Sequence, residues 1–200
     1  MQRIAVADRR VALLDAAVAV VARDGMARAT TRAIAAEAGM PTASFHYVFA
    51  SYDAMVGQLV EAVLDAQQQG VAAAVGDAAT LRDFTAGALQ GWLDRASADP
   101  DQELALHEVV AWSRSSPELH HLARAVYARY ESAVAAFVAD AEQRFGVRWR
   151  LPSADVARFV LVITGGVAAR WVVDRDDAAA RTSLAVGAEA VLGLGAEADR

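Results

Sequence analysis

The 200-residue chain has no cysteine and no lysine. Lack of cysteine excludes disulfide frameworks, zinc–thiolate sites, iron–sulfur clusters and cysteine nucleophiles together. Lack of lysine makes every basic side chain an arginine. Four prolines and thirteen glycines are too few for a collagen or a proline-rich linker protein. Aromatic residues make up only 7%. Long apolar runs are missing too. The most apolar stretch, Phe159 to Ala169, has eleven residues flanked by Arg158 and Arg170. A membrane span needs roughly 20, so this stretch reads as a buried helix. The first ten residues hold no apolar core of signal-peptide length, and the expectation is a soluble cytoplasmic protein that does not engage a membrane.

What is present points to helices. The chain is 56% apolar and 22% charged, enough for a sizeable core and too apolar for intrinsic disorder. Alanine alone supplies 49 residues, and alanine has the best intrinsic helix propensity. No strand alternation and no internal repeat is visible, so the expected fold is all-α, with about nine helices. Charge is uneven. Residues 1–50 carry a net +2 and residues 51–200 a net −8. A mildly basic head on an acidic body suits a head that meets a polyanion. The expected domains are accordingly 1–50 and 51–200.

Local punctuation sets the helix limits. A first helix over Ala7–Asp24, with Leu14, Ala17, Val18 and Val21 on one face, is stopped by Gly25. Short helices over Thr31–Ala38, capped by Thr30, and Thr42–Phe49 follow on either side of Gly39. Ser51 caps a longer helix from Tyr52 to Gly70 or beyond. Further helices are expected over Leu81–Ala96, from Asp99-Pro100 to Ser115, over Pro117–Phe145, from a Ser153 cap to Val173, and after Asp174–Asp177 to Leu192. Gly146 to Pro152 reads as a loop.

Residues 30–52 read T-T-R-A-I-A-A-E-A-G-M-P-T-A-S-F-H-Y-V-F-A-S-Y. Two short helices joined by a glycine-containing turn match a DNA-binding helix-turn-helix, although an ordinary helical corner has the same outline. Ala35 is small where two helices cross, and Gly39 can take positive φ. Ile34, Ala38, Met40, Phe45 and Phe49 form an apolar seam. Thr42, Ser44 and His46 lie at the start of the second helix, the end that such a motif inserts into the major groove. Thr31, Arg32 and Tyr47 are placed to grip phosphates or a base edge.

Through Thr31-Arg32, Ile34-Ala35, Ala38-Gly39, Ser44-Phe45-His46-Tyr47 and Phe49, the segment resembles the DNA-binding head of the TetR family of bacterial transcriptional regulators. The close resemblance covers about residues 9–60. Three positions depart from it. Pro41 stands where many members have a serine cap, Ala43 where many have glycine, and Tyr52 where many have lysine. Ala43 and Tyr52 are still carried as candidate DNA contacts. Without the lysine charge, weaker and less salt-sensitive binding is expected.

The resemblance implies that residues after 52 bind a small molecule and dimerise, and that the protein is a homodimeric repressor releasing a palindromic operator. The sequence adds support of its own. The helix starting at Ser153 is apolar on several faces, and Gly165-Gly166 within it suggests a closely packed neighbour. Phe159, Ile163, Gly166, Trp171 and Leu184 are the candidate dimer residues. Phe84, Trp92, Leu104, His107, Trp112, Tyr127, Tyr130 and Phe137 are large groups among alanines and are the candidate pocket for an apolar or aromatic effector. No cofactor is expected. Neither His107-Glu108 nor Glu118 with His120-His121 has the spacing of a zinc helix, so no metal is expected. No nucleophile elbow, phosphate loop or paired-carboxylate motif points to an enzyme. A helical interaction module with a decayed head is the rival reading.

Overall fold

The computed structural model describes residues 5–115 and 120–196. Nine helices occur among them, α1 (Val6–Asp24), α2 (Thr31–Glu37), α3 (Thr42–Val48), α4 (Tyr52–Val75), α5 (Leu81–Ala98), α6 (Pro100–Arg114), α7 (His120–Phe145), α8 (Ser153–Asp174) and α9 (Asp177–Leu192). The expected helix start at Pro117 and the candidate ligand Glu118 lie outside the described residues. The all-α expectation holds with one small exception. Inside the expected loop, β1 (Arg148–Trp149) pairs antiparallel with β2 (Gly195–Ala196).

The termini follow local chemistry. Gly25 ends α1 with φ 78°, and Gly39 makes the turn after α2 with φ 65°, both costly for a side chain. Oxygens of Thr30, Ser51 and Asp176 accept from the amides of Ala33, Ala54 and Ala179 at 3.2, 3.0 and 2.9 Å. Ser153 does not cap α8. The N-cap is Pro152, which offers no side-chain bond, and the Ser153 hydroxyl donates to Glu142 instead.

Two compact units result. One holds residues up to Val63 together with Pro100–Val126, and the other Leu64–Asp99 together with residues from Tyr127 onward. This differs from a division at residue 50. The unit with the helix-turn-helix also contains the first half of α4, all of α6 and the start of α7. In it, α1 packs on α2, α3 and α6. The buried stripe of α1 is Leu13, Ala16, Ala17, Val20 and Val21, so the expected face is turned by one residue and Leu14 and Val18 sit at its margin. Both faces fit a period of 3.6, and packing selects the one centred on Leu13.

In the second unit, α9 packs on α5 and α8. Leu89, Trp92, Leu93, Ala168, Trp171 and Leu184 form its main core. Glycines permit close approach. A Cβ on Gly91 of α5 runs into the Cβ of Ala74 on α4, and one on Gly187 of α9 would lie 2.7 Å from Ile163 Cγ2 on α8. Gly165 and Gly166 behave otherwise, because a Cβ on either meets nothing within 4 Å. No described helix approaches these two positions that closely. Nor is α8 buried on several sides. It is long and apolar enough to cross a membrane by length and composition, yet only 22% of its most apolar window is buried.

Candidate nucleic-acid interface and ligand cavity

The helix-turn-helix is assembled by its seam. Ile34, Ala35, Phe45, Val48 and Phe49 are buried, with the Phe45 and Phe49 rings 5.1 Å apart. Met40 and Ala38 of the expected seam lie at its half-buried edge. Arg23 at the end of α1 holds α2 in place, donating to Asp24 and to Glu37 at 3.0 Å each, and these two carboxylates push its pKa up.

Burying Phe45 and Val48 turns the rest of α3 outward. Ala43, His46 and Tyr47 are exposed, and Thr42 and Ser44 are half-buried. Arg32 on α2 is exposed as well, and Thr31 is half-buried beside it. Tyr47 is 67% exposed, and the Arg9 guanidinium lies over its ring at 5.7 Å. Arg9 escaped the sequence reading, because nothing local says that α1 reaches this ring. Pro41 supplies no side-chain cap to α3, in keeping with its chemistry.

Tyr52 does not join this surface. Its ring packs edge-on against Trp112 of α6 at 6.2 Å, and its hydroxyl is buried with no hydrogen-bond partner among the described residues. Burial first, and Asp53 second, push its pKa up. A hydroxyl held in that pocket cannot reach a phosphate.

In the second unit, α4, α5, α7 and α8 surround a cavity of about 440 Å³. Of the expected pocket residues, Trp92, Tyr130 and Phe137 line it. Phe84 does not. It is fully buried behind the wall, stacked on Phe137 at 4.2 Å, next to an apolar void of about 40 Å³. Tyr127 is 57% exposed and faces away. Leu104, His107 and Trp112 lie on α6, in the other unit. His107 sits 3.5 Å from the buried carboxylate of Glu103, and Trp112 packs on Tyr52.

The walls missed in the sequence include Val71, Val75, Leu89, Val134, Val160 and Leu161, with Gln67, Gln68, Arg129, Asp140, Arg144 and Thr164 as the polar groups. The two arginines differ in their ties. Arg144 donates to the carbonyls of Val75, Gly76 and Ala78 at 3.1–3.2 Å, and so closes the C-terminal end of α4. Arg129 donates to Asp65 at 2.7 Å and to Gln68 at 2.8 Å, both on α4. Their helical spacing signals one face of α4, but not what faces it.

An open groove of about 590 Å³ runs between α8 and α9, lined by Phe159, Ile163, Gly166, Trp171 and Val186 among others. Phe159 and Val186 are exposed there. Trp171 contributes only an edge. Its ring is buried, and its Nε1 donates to Asp177 at 2.7 Å. Leu184 is fully buried within the chain's own core and offers no surface to a partner. His120 and His121 are exposed, and no cluster of three or more metal-ligating side chains occurs among the described residues.

Residues 13–59, which span the helix-turn-helix, match the model for bacterial regulatory proteins of the tetR family. A curated relative, the HTH-type nicotine-responsive transcriptional repressor HdnoR of Paenarthrobacter nicotinovorans, is 27% identical over 175 residues, covering 88% of this chain and 89% of the relative. Among solved structures, a TetR-family transcriptional regulator from Rhodococcus sp. superposes with a TM-score of 0.78 at 19% identity, over 92% of this chain and 99% of that one. The regulator FadR of Bacillus subtilis, solved with stearoyl-CoA, does so with a TM-score of 0.72 at 16% identity, over 92% and 96%. At such identities the solved structures speak for the fold of the whole chain, while the head and the curated relative speak for its kind. The curated relative is a repressor, and through residues 13–59, with the outward-facing α3, the chain is similar to the bacterial regulatory proteins of the tetR family.

Proposed function

We propose that the chain is a homodimeric repressor that leaves a palindromic operator when a small apolar molecule enters the cavity bounded by α4, α5, α7 and α8. The observation that carries this reading is the outward face of α3. With Phe45 and Val48 buried beneath it, Thr42, Ala43, Ser44, His46 and Tyr47 are left free to meet base edges and backbone. Arg32 and Thr31 at the start of α2 reach the flanking phosphates. The buried hydroxyl of Tyr52 argues against a contact from that residue.

Pairing of two copies through the α8–α9 groove accounts for its exposed apolar side chains, because a solvated patch of this kind is costly unless covered. A two-fold pair then presents two α3 helices to half-sites about 34–36 Å apart or a multiple of that. A molecule bound in the cavity shifts that spacing by its preference for one of the two arrangements. Two similar proteins support an apolar occupant. One responds to nicotine, and the other was solved with stearoyl-CoA. A protein that reads an operator works in the cytoplasm.

Fluorescence anisotropy with DNA from upstream of the chain's own gene tests the operator. Arg32→Ala is expected to weaken binding by roughly 1 kcal/mol with unchanged circular dichroism. Unchanged affinity removes Arg32 from the interface. If the unaltered protein binds no such DNA at low salt, the interaction-module reading takes its place.

A further inference from the structure

Three arginines of α1 are held in three different ways. Arg23 is neutralised by the chain itself, through Asp24 and Glu37 at 3.0 Å each. Arg10 donates to the side-chain oxygen of Gln58 on α4 at 3.2 Å. Arg9 has its guanidinium 5.7 Å from the centroid of the Tyr47 ring, so among the described residues its side chain meets a ring and not a carboxylate. A ring face holds a guanidinium, but it neither cancels the charge nor satisfies the N–H groups. Asp8, the neighbouring acid on α1, stands about 100° round the helix from Arg9.

The place matters as much as the charge. Tyr47 is the last residue but one of α3 (Thr42–Val48) and is 67% exposed, on the side of α3 left outward by the burial of Phe45 and Val48. A recognition helix reads base edges with its N-terminal residues, so its last turn comes out against the sugar–phosphate backbone. The packing of α1 on α3 therefore holds Arg9 beside the turn that a phosphate passes. A phosphate supplies the anion that the chain withholds from this guanidinium, and the planar group can take it through two N–H bonds.

We propose that Arg9 is a DNA contact, whose guanidinium binds a backbone phosphate of the duplex that receives α3 while the Tyr47 ring holds it in position. The proposal rests on α3 being the helix that enters the groove. It makes α1 part of the interface, although α1 lies outside the two-helix motif. It also restores a charge to the head. Tyr52 brings none where many similar heads carry lysine, and Arg9 regains from α1 the salt sensitivity that the start of α4 has lost.

Fluorescence anisotropy of the full-length protein at a series of salt concentrations provides the test, with DNA from upstream of the chain's own gene and an unrelated duplex of equal length. Arg9→Gln should weaken both duplexes by the same factor, about three- to tenfold, and lower the slope of log affinity against log salt by about 0.9 for each head bound. Its circular dichroism should not change, because Ala7, Asp8 and Arg10 beside it are exposed. Arg9→Lys keeps the charge and should keep the slope. Tyr47→Leu removes the ring but no charge, so it should weaken binding at an unchanged slope. In the double variant with Arg9→Gln, the loss should fall short of the product of the single losses by about threefold.

A salt slope unchanged in Arg9→Gln makes Arg9 a mere brace for Tyr47 and overturns the assignment. A loss confined to the upstream DNA, or single losses that multiply in full, overturns it as well. In each of these cases the operator reading stands. If the unaltered protein binds neither duplex, both fall.

Discussion

A side chain's neighbour across space decides what it can do, and Tyr52 shows this. From the sequence it occupies a position at the start of α4 where a phosphate contact is plausible. Trp112, sixty residues later, takes the ring instead and leaves the hydroxyl buried with no hydrogen-bond partner among the described residues. Tyr52→Phe removes that buried group without changing the ring's shape. Stability should rise by about 1 kcal/mol, read as an upward shift in Tm, and DNA affinity should stay unchanged. Alkaline titration checks the same burial. The raised pKa means that the unfolded chain loses its phenolic proton before the folded one, so this contribution to stability is complete below a pH of about 10 and is lost as pH climbs above it. The phenylalanine variant should lack that loss.

At the scale of helices, what was legible in the sequence was local. Gly25, Gly39, Thr30, Ser51 and Asp176 mark ends through φ or a bond three residues away, and each stands where its chemistry predicts. What was not legible depends on rotation and distance. The buried stripe of α1 is centred on Leu13 because of what packs on it, and β1 meets β2 across 45 residues of intervening chain. Phe84 and Phe137 look alike in sequence, yet packing puts Phe84 of α5 in the core and Phe137 of α7 on the cavity wall. The same lesson holds for glycine. Gly91→Ala gains roughly 1 kcal/mol of helix propensity but forces Ala74, whose Cβ is fixed to the backbone, to move. A net loss of about 1–3 kcal/mol is expected in chemical denaturation. Gly165→Ala meets nothing within the chain and should stabilise it by about 0.5–1 kcal/mol.

At the scale of the whole molecule, the head was legible and the cavity was not. The head is a short, contiguous motif whose buried and exposed positions alternate on helices of seven residues. The cavity draws on four helices spread over about a hundred residues, so its walls emerge only when those helices pack. Assembly is the remaining question at this scale. Val186 is 67% exposed and lines the α8–α9 groove. Val186→Asp should leave the helical spectrum intact, convert a dimer to monomers in sedimentation, and abolish high-affinity operator binding. A dimer that persists would put the contact elsewhere.

The tryptophans add a practical consequence. Trp92 forms part of the cavity wall, while Trp112 lies against Tyr52 in the unit that contains the helix-turn-helix. Nature has thus fitted each unit with its own intrinsic fluorophore. Variants keeping one indole at a time would let emission report occupancy of the body and rearrangement near the head as two separate optical signals, with no dye attached.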